Sequence, residues 1–364
     1  MLYNGRFLSL CFFGMQLSVL LCILMNLKTQ GYQPEEFVND LFGTAYRYLN
    51  DRYNGRIIPN IYAQIGIVLN YTGVCIGGIV ITTRKGLLGK LVVFILSFVP
   101  AALHMAIYAD KGTLFLCAAL FYGGVLLTRI HKGDTSLTNR QTNKVFLMCF
   151  VLLLPVLLAS FMARGIDEGS NEEAVNKLLF YIASYAFGHL YAFSDWFSNL
   201  TYGESMNTYF HQEHYTNGLF TFMSIFKTLG LPANVPDGYY DEYYNYRNII
   251  QSNIYTVFRG AIQDFSFLGS YLYILLTGAV TNFAYHRVLT TRFPVISGAV
   301  FICTMGYIYS SFLISIMVWN SIFAVFVALV LLLWVNKGLY KFSPYKIDTA
   351  LAIKHGLMKK ISAP

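Results

Sequence analysis

The chain has 364 residues, 56% hydrophobic and only 12% charged, and a mean hydropathy of +0.51. A soluble domain carries about 25% charged residues, so a water-soluble globule of 41.2 kDa is excluded and burial in lipid is implied. The formal charge of +8 raises nucleic-acid binding, which loses its main support once that charge is located along the chain.

A bilayer-spanning helix needs about 20 mostly apolar residues. Residues 7–27 are the first such stretch. They outrun the roughly 7–15 apolar residues of a signal peptide, and no small-residue cleavage site follows, so this segment is predicted to stay as a membrane helix. Between 28 and 60, Phe37, Leu41, Tyr46 and Leu49 recur at nearly helical spacing and predict a short amphipathic helix. Spans are predicted next at 61–82, 91–109, 112–128 and 145–163. Residues 178–194 are uncharged over 17 positions, at the lower limit for a span. Their Ser184, His189, Ser194 and tyrosines predict an interfacial or re-entrant helix instead. A further span is predicted at 265–285. From 293 to 336 there are 44 residues without Asp, Glu, Lys or Arg. As one helix they would reach about 66 Å against a hydrocarbon core of about 30 Å, so they must fold back, with the turn expected at Trp319-Asn320-Ser321. The chain thus reads as one all-α polytopic membrane domain over 1–364, with eight spans and a large outer region over 164–264.

Charge orients the map. With the amino terminus inside, the inner loops hold sixteen of the 26 Lys and Arg but only Asp134 and Asp348 of the 18 acidic residues. The inside is then +14 and the outside −6, which sums to +8. Basic short loops face the cytoplasm, so both termini are expected there. The net charge is a topology signal, and nucleic acid is not an expected partner. Cys11, Cys22, Cys75, Cys117, Cys149 and Cys303 all fall in apolar stretches without paired spacing. They read as packing residues rather than a disulfide framework or a zinc site.

The outer region carries the candidate chemistry. Tyr243, Tyr244, Tyr246 and Tyr255 sit among Asp241, Glu242, Asn245, Arg247 and Asn248. Such a surface can stack on sugar rings and hydrogen-bond their hydroxyls, or form an aromatic belt at headgroup level. Arg164 and Arg259 bracket the region at the membrane surface, where a guanidinium can grip a pyrophosphate bidentately or pair with lipid or with Asp167 and Asp264. Lys111 opens a helix, a position that favours an anion. His189 reads as an interface residue or a base. His211 and His214 with Glu213 form half of a metal site and lack a third ligand, so no metal is expected. Among the familiar motifs, no nucleophile elbow, P-loop, dinucleotide fingerprint or Asp-x-Asp pair is present.

Asn253-Ile-Tyr-Thr-Val-Phe-Arg259, followed by Gln263-Asp-Phe-Ser-Phe-Leu-Gly269, resembles the bacterial O-antigen polymerases of the Wzy type. That family commonly shows an Asn-x-Tyr-Thr stretch and then an Asp-Phe-Gly-x-x-Gly-like stretch entering a span. The 181–196 segment before the large loop and the Asp110-Lys111-Gly112 turn are similar as well. Here Ser266 replaces the family's first glycine, and the spacing from Arg259 meets Ser270 where a glycine is expected. The resemblance covers mainly 100–285. It implies a GT-C-like glycosyltransferase of the inner membrane, acting in the periplasm on an undecaprenyl-diphosphate-linked glycan donor and a lipid-linked acceptor. The bond energy is stored in the donor, so no cofactor is implied, and a chain-length regulator protein is an expected partner in the bilayer. It implies Arg164, Arg247 and Arg259 as catalytic candidates; with the residue chemistry above, His189 joins them, and Tyr243, Tyr244, Tyr246, Asn253, Tyr255, Asp264 and Lys111 are the substrate-binding candidates. Two rivals stand beside it. A lipid-linked oligosaccharide flippase or other transporter would have small outer loops, and a membrane acyltransferase would need His189 or His286 as its catalytic group.

Overall fold

The computed structural model describes residues 5–58, 60–108, 110–134, 136, 138, 171–209, 216–230, 240 and 242–341. In chain order these form α1 (Gly5–Thr29), α2 (Pro34–Asn39), α3 (Leu41–Tyr53), α4 (Ile61–Ile81), α5 (Leu87–Tyr108) and α6 (Lys111–His131). There follow α7 (Asn171–Tyr202), α8 (Met223–Thr228), the strands β1 (Tyr244–Tyr246) and β2 (Ile250–Ser252), α9 (Thr256–Thr290) and α10 (Val295–Ser310). A 3-10 turn (Ile316–Val318) and α11 (Asn320–Lys341) complete the described chain.

Six of these helices, α1, α4, α5, α6, α9 and α11, are long and apolar enough to cross a membrane, and α10 is a shorter apolar helix. The protein is a multi-pass, all-α membrane protein. Its predicted spans coincide with these helices to within a few residues at most ends, and the span predicted at 145–163 lies outside the described residues. The outer faces are greasy, as lipid requires: Leu10, Leu17 and Leu21 on α1, and Phe267, Leu268, Leu275, Leu276 and Phe283 on α9, are exposed.

The core centres on α4, which packs against α1, α5, α6 and α11. From Asn70 to Val80 every α4 residue is buried. Small residues permit this closeness. A Cβ at Gly78 would lie 2.1 Å from the Phe121 carbonyl oxygen, and one at Gly124 would lie 2.3 Å from that of Cys75. Here α4 and α6 meet backbone to backbone.

The helix ends sort into two groups. At one end Lys132 Nζ donates to the Thr82 carbonyl at 2.8 Å and Arg84 reaches Ser9 Oγ at 2.9 Å. At the other, Asn60 Nδ2 donates to Asn26 Oδ1 at 2.8 Å, Arg52 reaches the Tyr108 carbonyl at 3.5 Å, and Val257 N–H donates to the Ser311 carbonyl at 2.8 Å. This second end carries two caps. The first is α2–α3, where the buried face is Thr44, Ala45 and Tyr48 rather than the predicted Leu41 and Tyr46, which are exposed. The second gathers α7, α8, the hairpin and the start of α9 around its own aromatic core.

Three further boundaries differ from expectation. The interfacial helix predicted at 178–194 extends over the whole of α7, because polar residues flanking the apolar stretch continue the helix. The sixth predicted span starts inside a longer helix, α9, which is broken at Ser266 (φ 63°, ψ 178°). The fold-back begins at Ser311, eight residues before Trp319, so that α10 ends early and the 3-10 turn fills the interval.

Candidate functional site: an arginine caged in the second cap

Tyr255, Arg259 and Gln263 follow at four-residue spacing down one face of the first segment of α9, and all three are buried. Arg259 is wholly inside, at 0% exposure. It donates through Nη2 to Glu242 Oε1, whose side chain is 2% exposed. Its guanidinium lies 3.6 Å from the ring centre of Tyr240, 4.2 Å from Tyr255, 5.3 Å from Trp196 and 5.5 Å from Tyr209. A cation over a desolvated ring face gains about 2 kcal/mol, so four rings and a carboxylate together offset the cost of burying this charge.

The cage is built by hydrogen bonds that converge from distant segments. Asp195, on the last turns of α7, accepts from Tyr209 Oη at 2.6 Å, from Met206 N–H at 2.8 Å and from Asn207 Nδ2 at 3.2 Å. Asn207 Oδ1 in turn accepts from Asn245 N–H at 3.0 Å, which ties the hairpin down. Tyr255 Oη donates to the Glu242 carbonyl at 3.1 Å, and Tyr240 Oη donates to Gln263 Oε1 at 3.1 Å. Asp264 is 2% exposed and accepts from the N–H groups of Phe220 at 3.0 Å and Thr221 at 2.6 Å, and from Thr216 Oγ1 at 2.5 Å. It pins the 216–221 turn. Burial pushes the phenols of Tyr209, Tyr240 and Tyr255 well above their ordinary value of 10, the Asp195 carboxylate adding to the rise at Tyr209. These hydroxyls stay protonated and act as donors.

The predicted site residues therefore separate. Arg259, Tyr255, Tyr244 and Asp264 face the interior of the cap, and in this arrangement Arg259 is engaged by Glu242. Arg247 and Asn248 occupy the hairpin turn with φ of 49° and 58°, closed by an Ile249 N–H bond to the Tyr246 carbonyl at 2.8 Å. Arg247 is exposed, over the half-buried Tyr246 at 5.3 Å, and Tyr243 is 55% exposed. Asn253 is half-buried between β2 and α9. Lys111 is buried at the start of α6 under the ring of Tyr185, 5.0 Å away. His189 lies one turn further along α7, half-buried against Phe312, and burial lowers its pKa from 6.5. Arg164, His211 and His214 lie outside the described residues.

Sequence reasoning gave Glu242 a sugar-binding role and assigned none to Trp196, Tyr209 or Asp195. The usable signal was the i, i+4, i+8 series from Tyr255 to Gln263, which marks one helix face as inward-looking. No family model, curated protein or solved structure matches this chain.

Proposed function

We propose that the protein is an O-antigen polymerase-type glycosyltransferase of the bacterial inner membrane. Eight spans in a GT-C-like arrangement place both termini in the cytoplasm and both caps in the periplasm. The acceptor hydroxyl oxygen bonds to the anomeric carbon of the donor glycan, the bond from that carbon to undecaprenyl diphosphate breaks, and the diphosphate leaves with the electron pair. The hydroxyl proton passes to the leaving group or to water.

One observation carries this reading. The segment that resembles the polymerases, Asn253 to Gly269, contributes Tyr255, Arg259, Gln263 and Asp264 to the second cap, and Ser266 within it adopts a positive-φ backbone of the kind glycine takes freely. The family's glycine at that position has a physical reason here. In this reading Arg259 is a positioning residue that organises the cap. The exposed Arg247, with Arg164, meets the diphosphate, whose charge in the transition state is what a preorganised cation stabilises. Tyr243 and Tyr246 offer ring faces to the glycan.

Deleting the gene and resolving lipopolysaccharide on a silver-stained gel tests the proposal. The expected pattern is core capped by a single repeat unit, restored to a ladder by the wild-type gene. Loss of all units would favour the flippase, and an unchanged ladder would reject the polymerase.

A further inference from the structure

Beneath the first cap, α1, α4 and α5 line a half-open pocket of about 30 Å³, against the roughly 10–15 Å³ that one water requires. Its polar lining is Asn26, Tyr62, Asn70, His104 and Tyr108, with Cys22 in the wall. Asn26 Nδ2 donates to Tyr108 Oη at 2.6 Å, and its Oδ1 is satisfied by Asn60. Asn70 directs Nδ2 toward Cys117 Sγ at 3.6 Å. Among the described residues, nothing in the protein partners Asn70 Oδ1 or His104 Nδ1, both of which are buried. Asn70 is 3% exposed. An unsatisfied carbonyl and an unsatisfied imidazole nitrogen are costly in a lipid-embedded bundle, and these two line one cavity.

The lining selects a ligand class. It contains no Asp, Glu, Lys or Arg, so neither a cation nor an anion finds its counter-charge there. A hydroxyl both donates and accepts, so one hydroxyl can donate to the Asn70 carbonyl and accept from His104 when Nδ1 carries the ring proton. Tyr62 and Tyr108 supply flat apolar walls. The volume fits a hydroxymethyl edge rather than a ring. His104 lies one turn from the end of α5, close to the capped surface. We propose that this cavity is a subsite for the hydroxyl-bearing edge of a neutral saccharide. Naming that saccharide as the lipid-linked acceptor rests on the polymerase reading, whereas the binding itself does not.

Cys22 supplies the probe. The full chain in lipid nanodiscs is exposed to a small charged methanethiosulfonate, which reacts in water and not in lipid, and modification of Cys22 is followed by peptide mass spectrometry. Cys22 should be modified, and an excess of glucose, galactose or N-acetylglucosamine should slow the reaction. Asn70→Leu with His104→Phe removes both hydrogen-bonding groups and should weaken the protecting sugar by about tenfold. Asn70→Ser takes its place if the double variant does not reach the membrane. An unmodified Cys22, protection by none of the three sugars, or equal protection in the variants would each overturn the proposal and leave a hydrated packing void only. If lipopolysaccharide is unchanged on gene deletion while sugar protection persists, the polymerase reading falls and the subsite stands. Where both hold, the same variants raise the KM for acceptor and leave kcat near its wild-type value.

Discussion

At the scale of single residues, Arg259 and Glu242 form the most consequential pair. Removing one partner of a buried ion pair strands the other, at a cost of about 3–5 kcal/mol. Arg259→Met should therefore sharply lower the thermal midpoint and the membrane abundance, and Arg259→Met with Glu242→Gln should recover much of the loss. A double-mutant cycle in thermal unfolding measures this, and additive losses would exclude the pairing. Arg259→Lys keeps the charge but loses the planar stacking on Tyr240 and Tyr255, so it should fall between wild type and Met. Arg247 gives the opposite expectation, because it is exposed at a turn. Arg247→Ala should leave abundance unchanged, and on the proposed polymerase reading it should cut chain extension by about 100- to 1000-fold, as loss of one transition-state donor does. A normal ladder at normal protein level would remove Arg247 from the reaction. The sequence marked both arginines as candidate site residues of the large loop region, and both belong to the second cap. That one is enclosed and the other free depends on Glu242 returning from seventeen residues away, and no local pattern encodes that contact.

At the scale of elements, the break in α9 makes a sharp test. Serine pays for positive φ with contact between Cβ and backbone, and glycine does not. Ser266→Gly should stabilise by up to about 1 kcal/mol and Ser266→Val should destabilise by more, read as shifts in thermal midpoint. The first cap is sensitive to pH instead. Glu36 is held below its ordinary 4.5 by the Gln33 N–H and by Arg47, and Asp51 below its ordinary 3.8 by the Tyr32 hydroxyl and Arg56. Folded-state values depressed in this way contribute stability above the ordinary carboxylate range, and that stability is lost as pH falls through the depressed values. Hydrogen exchange over residues 33–56 should therefore accelerate below about pH 4, while α4 stays protected. The length of the apolar runs made most membrane elements legible to within a few residues, but not the start of α9 or the place of the fold-back. Helix periodicity misjudged α3, whose inward face turns on where Tyr32 and Tyr108 stand, rings that lie 5.2 Å and 4.9 Å from Tyr48 and are remote from it in sequence.

For the whole molecule, the basic loops and the two caps lie at opposite ends of one bundle. Reporter fusions after Lys85, Asn143 and Arg292 should read cytoplasmic, and those after Gly43, Glu173 and Asn248 periplasmic. A cytoplasmic reading at Asn248 would mean that α7 crosses the bilayer, reversing every later loop. The membrane class was legible because hydropathy sums over many residues and tolerates local error. The enclosed cation and the cavity under the first cap were not, since each needs side chains from three or more segments to meet. The cage also sets a timetable for biogenesis. Its rings come from Trp196, Tyr209, Tyr240 and Tyr255, and the cation they surround is made last. A nascent chain halted before residue 259 displays four aromatic side chains with no cation to enclose, and the core they belong to still lacks Ile262, Ile314 and Val318.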